Sequence, residues 1–314
     1  MNVPFKYTAG VELTYNAPKP WHSLGDLAMN DVAGQYAELL SNLLNAKNIP
    51  HWACEEECGA IEVPTRVCKN WGDFKKHFDG INNTALEIGL VPVAEGYMGG
   101  GGHIHIGIDR SEQVLLRSAM ARDWATRPYL NWFFNDVDDV YNANHMGIDA
   151  KAAYRAPNKA RVSRNSWGST HHFWTIAQKR KMLFYGELKK TVEDYQDELE
   201  EAQAMLPRGG LNFTNAETVE YRVFDMPADW KGQVLHMNFA QAYAQWIEER
   251  IKNNDAFIVV PEKTTTKYHA EKGRRATSNA INKMLKDMGL DPQPYQELYE
   301  ERLIQRFKVK SSLK

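Results

Sequence analysis

Residues 99–109 read GGGGHIHIGID, and this run constrains the chain more than any other stretch. His103 and His105 alternate with Ile104 and Ile106. Side chains on a β-strand point alternately to opposite faces, so a strand here sets both imidazoles on one face and both isoleucines on the other. The isoleucine face belongs against a core. The glycines ahead of it let the backbone take positive φ or approach a ligand closely, and they equally serve as a flexible turn into the strand. The run is not a phosphate-binding loop of the Gly-Lys-Ser/Thr kind, because no such residues follow it.

Three further predicted strands carry charge where apolar residues are expected. Glu12 lies inside GVELTY, and Glu62 inside GAIEVPT, preceded by Glu55, Glu56 and Glu57. Glu220 and Arg222 lie inside TVEYRVF, two residues apart and so on one face. One glutamate on a strand is usually an exposed edge residue, and one histidine is usually a hydrogen-bonded bystander. Recurrence alters that weighing: if the strands share one sheet, these groups converge on one face. Several carboxylates in one place repel unless cations sit among them. Oxygen ligands with a histidine suit Mg2+ or Mn2+, and the guanidinium of Arg222 suits a phosphate or a developing anion.

The rest of the chain supports a globular α+β protein. Helical spacing appears over 31–48 with Leu39, Leu40, Leu43 and Leu44 on one side, and again over 73–90, 111–136, 188–206 and 231–254. Strand patterning covers 7–15, a pair within 50–67 turning near Cys58-Gly59, the His-x-His run, and a second pair within 209–227. The chain has 314 residues, 43% hydrophobic, with a net charge of −2, which disfavours wholesale nucleic-acid or membrane binding. With no long apolar span and no signal-peptide core in view, a cytoplasmic location is expected. Cys54, Cys58 and Cys68 lie near His51 but form no paired CxxC motif, so they read as reduced, packed thiols rather than zinc ligands.

Residues 261–314 differ, holding twelve Lys/Arg against seven Asp/Glu. They read as a basic, mainly helical arm on a catalytic domain spanning 1–260, with any nucleic-acid contact confined to that arm.

Taken in order, GVELTY, GAIEVPT, GGGGHIHIGID and NAETVEYRVFD resemble the signature strands of the amidoligases. These are relatives of glutamine synthetase and glutamate–cysteine ligase in the carboxylate–amine ligase superfamily. The resemblance spans roughly residues 8 to 250 and leaves out the arm. It implies a curved antiparallel sheet flanked by helices, with ATP and Mg2+ or Mn2+ on its concave face. It implies that ATP phosphorylates a small-molecule or peptide carboxylate, and that an amine then displaces the phosphate to leave an amide. Carried over by position, Glu12, His103 and Glu220 resemble ligands of one metal, and Glu62 with Glu55 ligands of another. His105, Gly101, Gly102 and Arg164 would face the nucleotide, Lys159 and Arg161 lying beside Arg164 in the same basic loop. Arg222 would bind the transferring phosphoryl group, and Glu57 or Asp225 would take the proton from the amine. Asn212 matches a recurrent position of uncertain role.

Thr14 stands where relatives usually have a second glutamate, which puts the second metal in question. Plain alternation along the chain would set Glu56 with Glu62, whereas family spacing favours Glu55. Two other readings compete: a metal-dependent hydrolase using the same Glu/His cluster, and a degenerate relative that only binds a nucleotide or a partner. A homo-oligomer is compatible with the sequence.

Overall fold

The computed structural model describes residues 2–18, 26–57, 59–92, 102–125, 211–224, 226–227, 229–253 and 270–298. The chain is α+β, with antiparallel strands flanked by helices. It divides into two compact units, one of Asn2–Gly107 with Phe224–Met237, the other mainly of Ile108–Val223 and Asn238–Lys314.

In the first unit the strands run β1 (Ala9–Asn16), β2 (Glu55–Glu57), β3 (Ala60–Pro64), β4 (Val91–Pro92) and β5 (Ile104–Gly107). Their order across the sheet is β2-β3-β1-β5, with β4 also on β1. Every pairing is antiparallel, with Thr14 opposite Glu62, Gly10 opposite His105 and Tyr15 opposite Pro92. Alternation sorts the residues cleanly. Val11, Leu13, Tyr15, Ile61, Val63, Ile104 and Ile106 share one face and are all buried. Each such side chain contributes about 1.5–3 kcal/mol of burial, which pins the register against a one-residue slip.

Helices α1 (Asp26–Ala46) and α2 (Trp71–Glu87) belong to the same unit, and α1 packs on β2, β3 and α2. The buried stripe of α1 is Ala33, Ala37, Leu40 and Leu44, at helical spacing. Leu39, expected on the inner face, is exposed, because at 3.6 residues per turn it points away from the stripe of residues 33, 37, 40 and 44. The start of α2 is fixed by Asn70, whose side chain accepts from the Asp73 N–H at 2.9 Å. Its inner face stacks Phe74 and Phe78 on Trp230, with ring centres 5.1 and 5.3 Å apart. Gly107 ends β5 where a Cβ would fall 2.1 Å from the Thr8 hydroxyl, so only glycine fits.

The second unit contains α3 (Val114–Ala125), the hairpin β6 (Leu211–Asn212) and β7 (Thr218–Tyr221), most of α4 (Trp230–Lys252), and α5 (Ala270–Asp287). Its core is aromatic: Trp124 meets Tyr243 edge-on at 5.5 Å, and Phe239 stacks on Tyr243 at 6.0 Å. The Tyr243 hydroxyl donates to buried Asp123 at 2.9 Å, and Arg250 donates to the other oxygen of that carboxylate at 2.8 Å. No described helix is long and apolar enough to cross a membrane.

Candidate functional site

The face of the first unit's sheet opposite the core carries the polar residues. On β1 it presents Glu12, Thr14 and Asn16, on β3 Glu62, and at β5 His103 and His105. The sequence alternates here because one face had to be apolar, and the same alternation lines up the remaining groups.

Glu12 is the centre of this arrangement. Its Oε2 lies 2.6 Å from His103 Nδ1 and its Oε1 lies 2.8 Å from His105 Nε2. The main chain ties the same elements, with the Glu12 N–H donating to the His103 carbonyl at 2.9 Å. Burial acts to raise the Glu12 carboxyl, but the hydrogen bonds and charge of the two imidazoles outweigh it and hold the group well below the usual carboxylate range. Glu12 is therefore a fixed anion, each oxygen met by one ring nitrogen. Asn16 continues the row and is buried, with neither amide atom hydrogen-bonded.

The hairpin β2–β3 shows which of the three glutamates faces Glu62. Glu55 pairs with Glu62, Glu56 with Ile61 and Glu57 with Ala60. Two residues separate Glu57 from Ala60, and Gly59, at φ +84°, leads into β3 in this register. Alternation along the chain pointed to Glu56, but a hairpin with an even loop pairs an odd with an even position. Glu55 and Glu62 therefore share a face, and Thr14 is the next residue across. Glu56 instead accepts from the Gly59 N–H at 2.7 Å and closes the turn. Glu55 is exposed.

The other predicted carboxylate, Glu220, belongs to the second unit. It is buried on β7, directly opposite Asn212 on β6. Asn212 Nδ2 donates to Glu220 Oε2 at 2.7 Å, and Arg222 donates to Oε1 at 2.5 Å. Both oxygens are thus engaged by the chain itself. This gives Asn212 a defined role: it orients Glu220, while its own Oδ1 accepts from the Thr214 N–H and hydroxyl. A neutral amide opposite a strand glutamate was the signal for this in the sequence.

Gly102 is described, and its buried N–H donates to the Phe224 carbonyl at 3.0 Å. Gly101, Lys159, Arg161, Arg164 and Asp225 lie outside the described residues, as does the side chain of Glu57. Among the cysteines, buried Cys68 lies 3.2 Å from His77 Nδ1, and burial pushes the Cys54 thiol up to about 11.

Glu12, with an imidazole nitrogen on each of its oxygens, supplies donor types that divalent cations such as Mn2+ take. Thr14 presents a neutral hydroxyl directly across from Glu62, which in turn faces Glu55.

No protein-family model matches this chain, and no curated protein matches its sequence. A solved structure described as a novel glutamine synthase homolog aligns over 98% of this chain and 68% of its own, at 12% identity and a TM-score of 0.46. What the chain can do is therefore read from Glu12, His103 and His105 themselves.

Proposed function

We propose that the chain is an ATP-dependent carbon–nitrogen ligase, an amidoligase that joins a carboxylate to an amine through an acyl-phosphate. The observation that supports this is Glu12 bracketed by His103 and His105 on a sheet face shared with Glu62 and Glu55. In this reading Glu12, His103 and Glu220 hold one Mg2+ or Mn2+, and Glu55 and Glu62 face a weaker second site. Bound cations neutralise the charge of the phosphoryl group that ATP transfers.

The chain's own residues do the remaining work. Arg222 carries a permanent charge and two-pronged N–H donors, so it turns from Glu220 toward the phosphoryl oxygens. His105, Gly101, Gly102 and Arg164 line the nucleotide. The amine attacks only when neutral, so Glu57 or Asp225 takes its proton. Residues 1–260 form the catalytic domain and 261–314 the arm.

The test is phosphate release from ATP with Mg2+ or Mn2+ over pooled carboxylates and amines, with Glu12→Gln as control. Release that needs both an acid and an amine is the expected result. ATP that neither binds nor turns over contradicts the ligase reading. A metal-dependent hydrolase is the second reading, favoured by one feature: two nitrogens against one carboxylate is a donor set that suits zinc. Zinc-dependent, ATP-independent hydrolysis would establish it instead.

A further inference from the structure

Arg117 on α3 is fully buried, and none of the chemistry above uses it. A guanidinium withdrawn from water is costly unless its N–H groups are bonded. Here the acceptors are main-chain carbonyls. Nη1 donates to Ile108 at 2.9 Å and Ala216 at 2.8 Å. Nη2 donates to Phe213 at 2.8 Å and Asn215 at 2.6 Å, with Thr218 further off at 3.3 Å.

Four of those five residues lie between Phe213 and Thr218, the segment that leads from β6 into β7. The N–H groups of that segment are bound elsewhere: Asn212 Oδ1 accepts from Thr214, and Asn215 Oδ1 accepts from Glu217 and Thr218. The loop is thus a cup of inward carbonyls closed on one cation. The fifth carbonyl, Ile108, follows directly on Gly107, which ends the strand of His103 and His105. Burial pushes Arg117 down to about 10, so it is charged at neutral pH.

The length and shape of the 213–217 turn decide which β6 residue meets Glu220, because a slip of one residue would turn Asn212 to the opposite face. We infer that Arg117 is a positioning residue: by gripping the carbonyls of 213, 215, 216 and 218 it fixes the register that sets Asn212 on Glu220 and so aims the Glu220–Arg222 pair. The inference rests on the reading of Glu220 as a cation ligand. Lysine cannot replace it, since a point charge with three donors does not span a fan of carbonyls.

The test compares Arg117→Lys and Arg117→Ala with the wild type by amide hydrogen exchange and by Mn2+ titration. In Arg117→Lys, exchange over 211–222 is expected to rise about tenfold or more while β1 and β3 stay protected, as a local opening would produce. Mn2+ affinity is expected to fall about tenfold, the range seen when a group behind a ligand is lost. Added to Glu220→Gln, Arg117→Lys should cost nothing more, because both act through one carboxylate. Methylguanidinium, but not methylammonium, should restore Mn2+ affinity to Arg117→Ala.

Wild-type exchange over 211–222 in Arg117→Lys overturns the inference, as does full additivity with Glu220→Gln. If the wild type binds no Mn2+, the cation reading of Glu220 fails, while exchange over 211–222 still decides the role of Arg117. Should the variants not fold, nitrogen spectra of the wild type decide: separate, slowly exchanging Nη1 and Nη2 signals are expected for Arg117, and one averaged signal overturns the grip.

Discussion

Two carboxylates, Glu12 and Glu220, sit on strands of separate units and are compensated in opposite ways. Glu12 is met by two imidazoles, a ring whose neutral form offers a nitrogen lone pair. Glu220 is met by a guanidinium that stays charged and by an amide. The first arrangement surrounds a carboxylate with groups that can themselves become metal donors. The second must lose an ion pair before its carboxylate is free. A strand glutamate is thus a different instrument according to what stands beside it, and the identity of the neighbour separates a cation site from a pre-paired anchor.

The contrast yields a graded set of expectations. Arg222→Met takes the guanidinium away from buried Glu220, and should lower stability by about 3–5 kcal/mol in urea unfolding. A loss near zero would mean that the pair is not a structural anchor. Glu12→Gln should weaken Mn2+ binding by about 100-fold, roughly 2.7 kcal/mol, with a much smaller effect on unfolding. Thr14→Glu places a carboxylate directly opposite Glu62, so the metal-free protein should lose about 1 kcal/mol, recovered on adding Mn2+. Loss without recovery would show that the Glu55–Glu62 side of the face takes no cation.

The smallest effect is kinetic. The Cys54 thiol, pushed up to about 11, is mostly protonated at pH 8, so native Cys54 should alkylate slowly there and faster as pH rises toward 11. Rapid labelling at pH 8, read by peptide mass mapping, would contradict the burial that raises it.

Much of the first unit was legible in the sequence because alternation is a local property. Glu12, His103 and His105 declared their common face through Val11, Leu13, Ile104 and Ile106, which had to be buried. That Glu55 rather than Glu56 faces Glu62 was not legible from alternation alone, since cross-strand parity depends on how many residues separate the strands. Arg117 gave no sign, because its partners are carbonyls about a hundred residues away, and carbonyls have no letter in a sequence. Leu39 misled in the opposite sense: its hydrophobicity placed it inside, while its angle round the helix puts it outside.

The measurement that bears most directly on the central claim is pulsed electron paramagnetic resonance of the protein with Mn2+ bound. Nitrogen couplings from imidazole are expected in the wild type, lost in His103→Ala and kept in His105→Ala, with binding weakened about 100-fold in Glu12→Gln. Mn2+ held by oxygen alone, or no bound Mn2+ at all, would contradict the assignment of Glu12 and His103 as cation ligands.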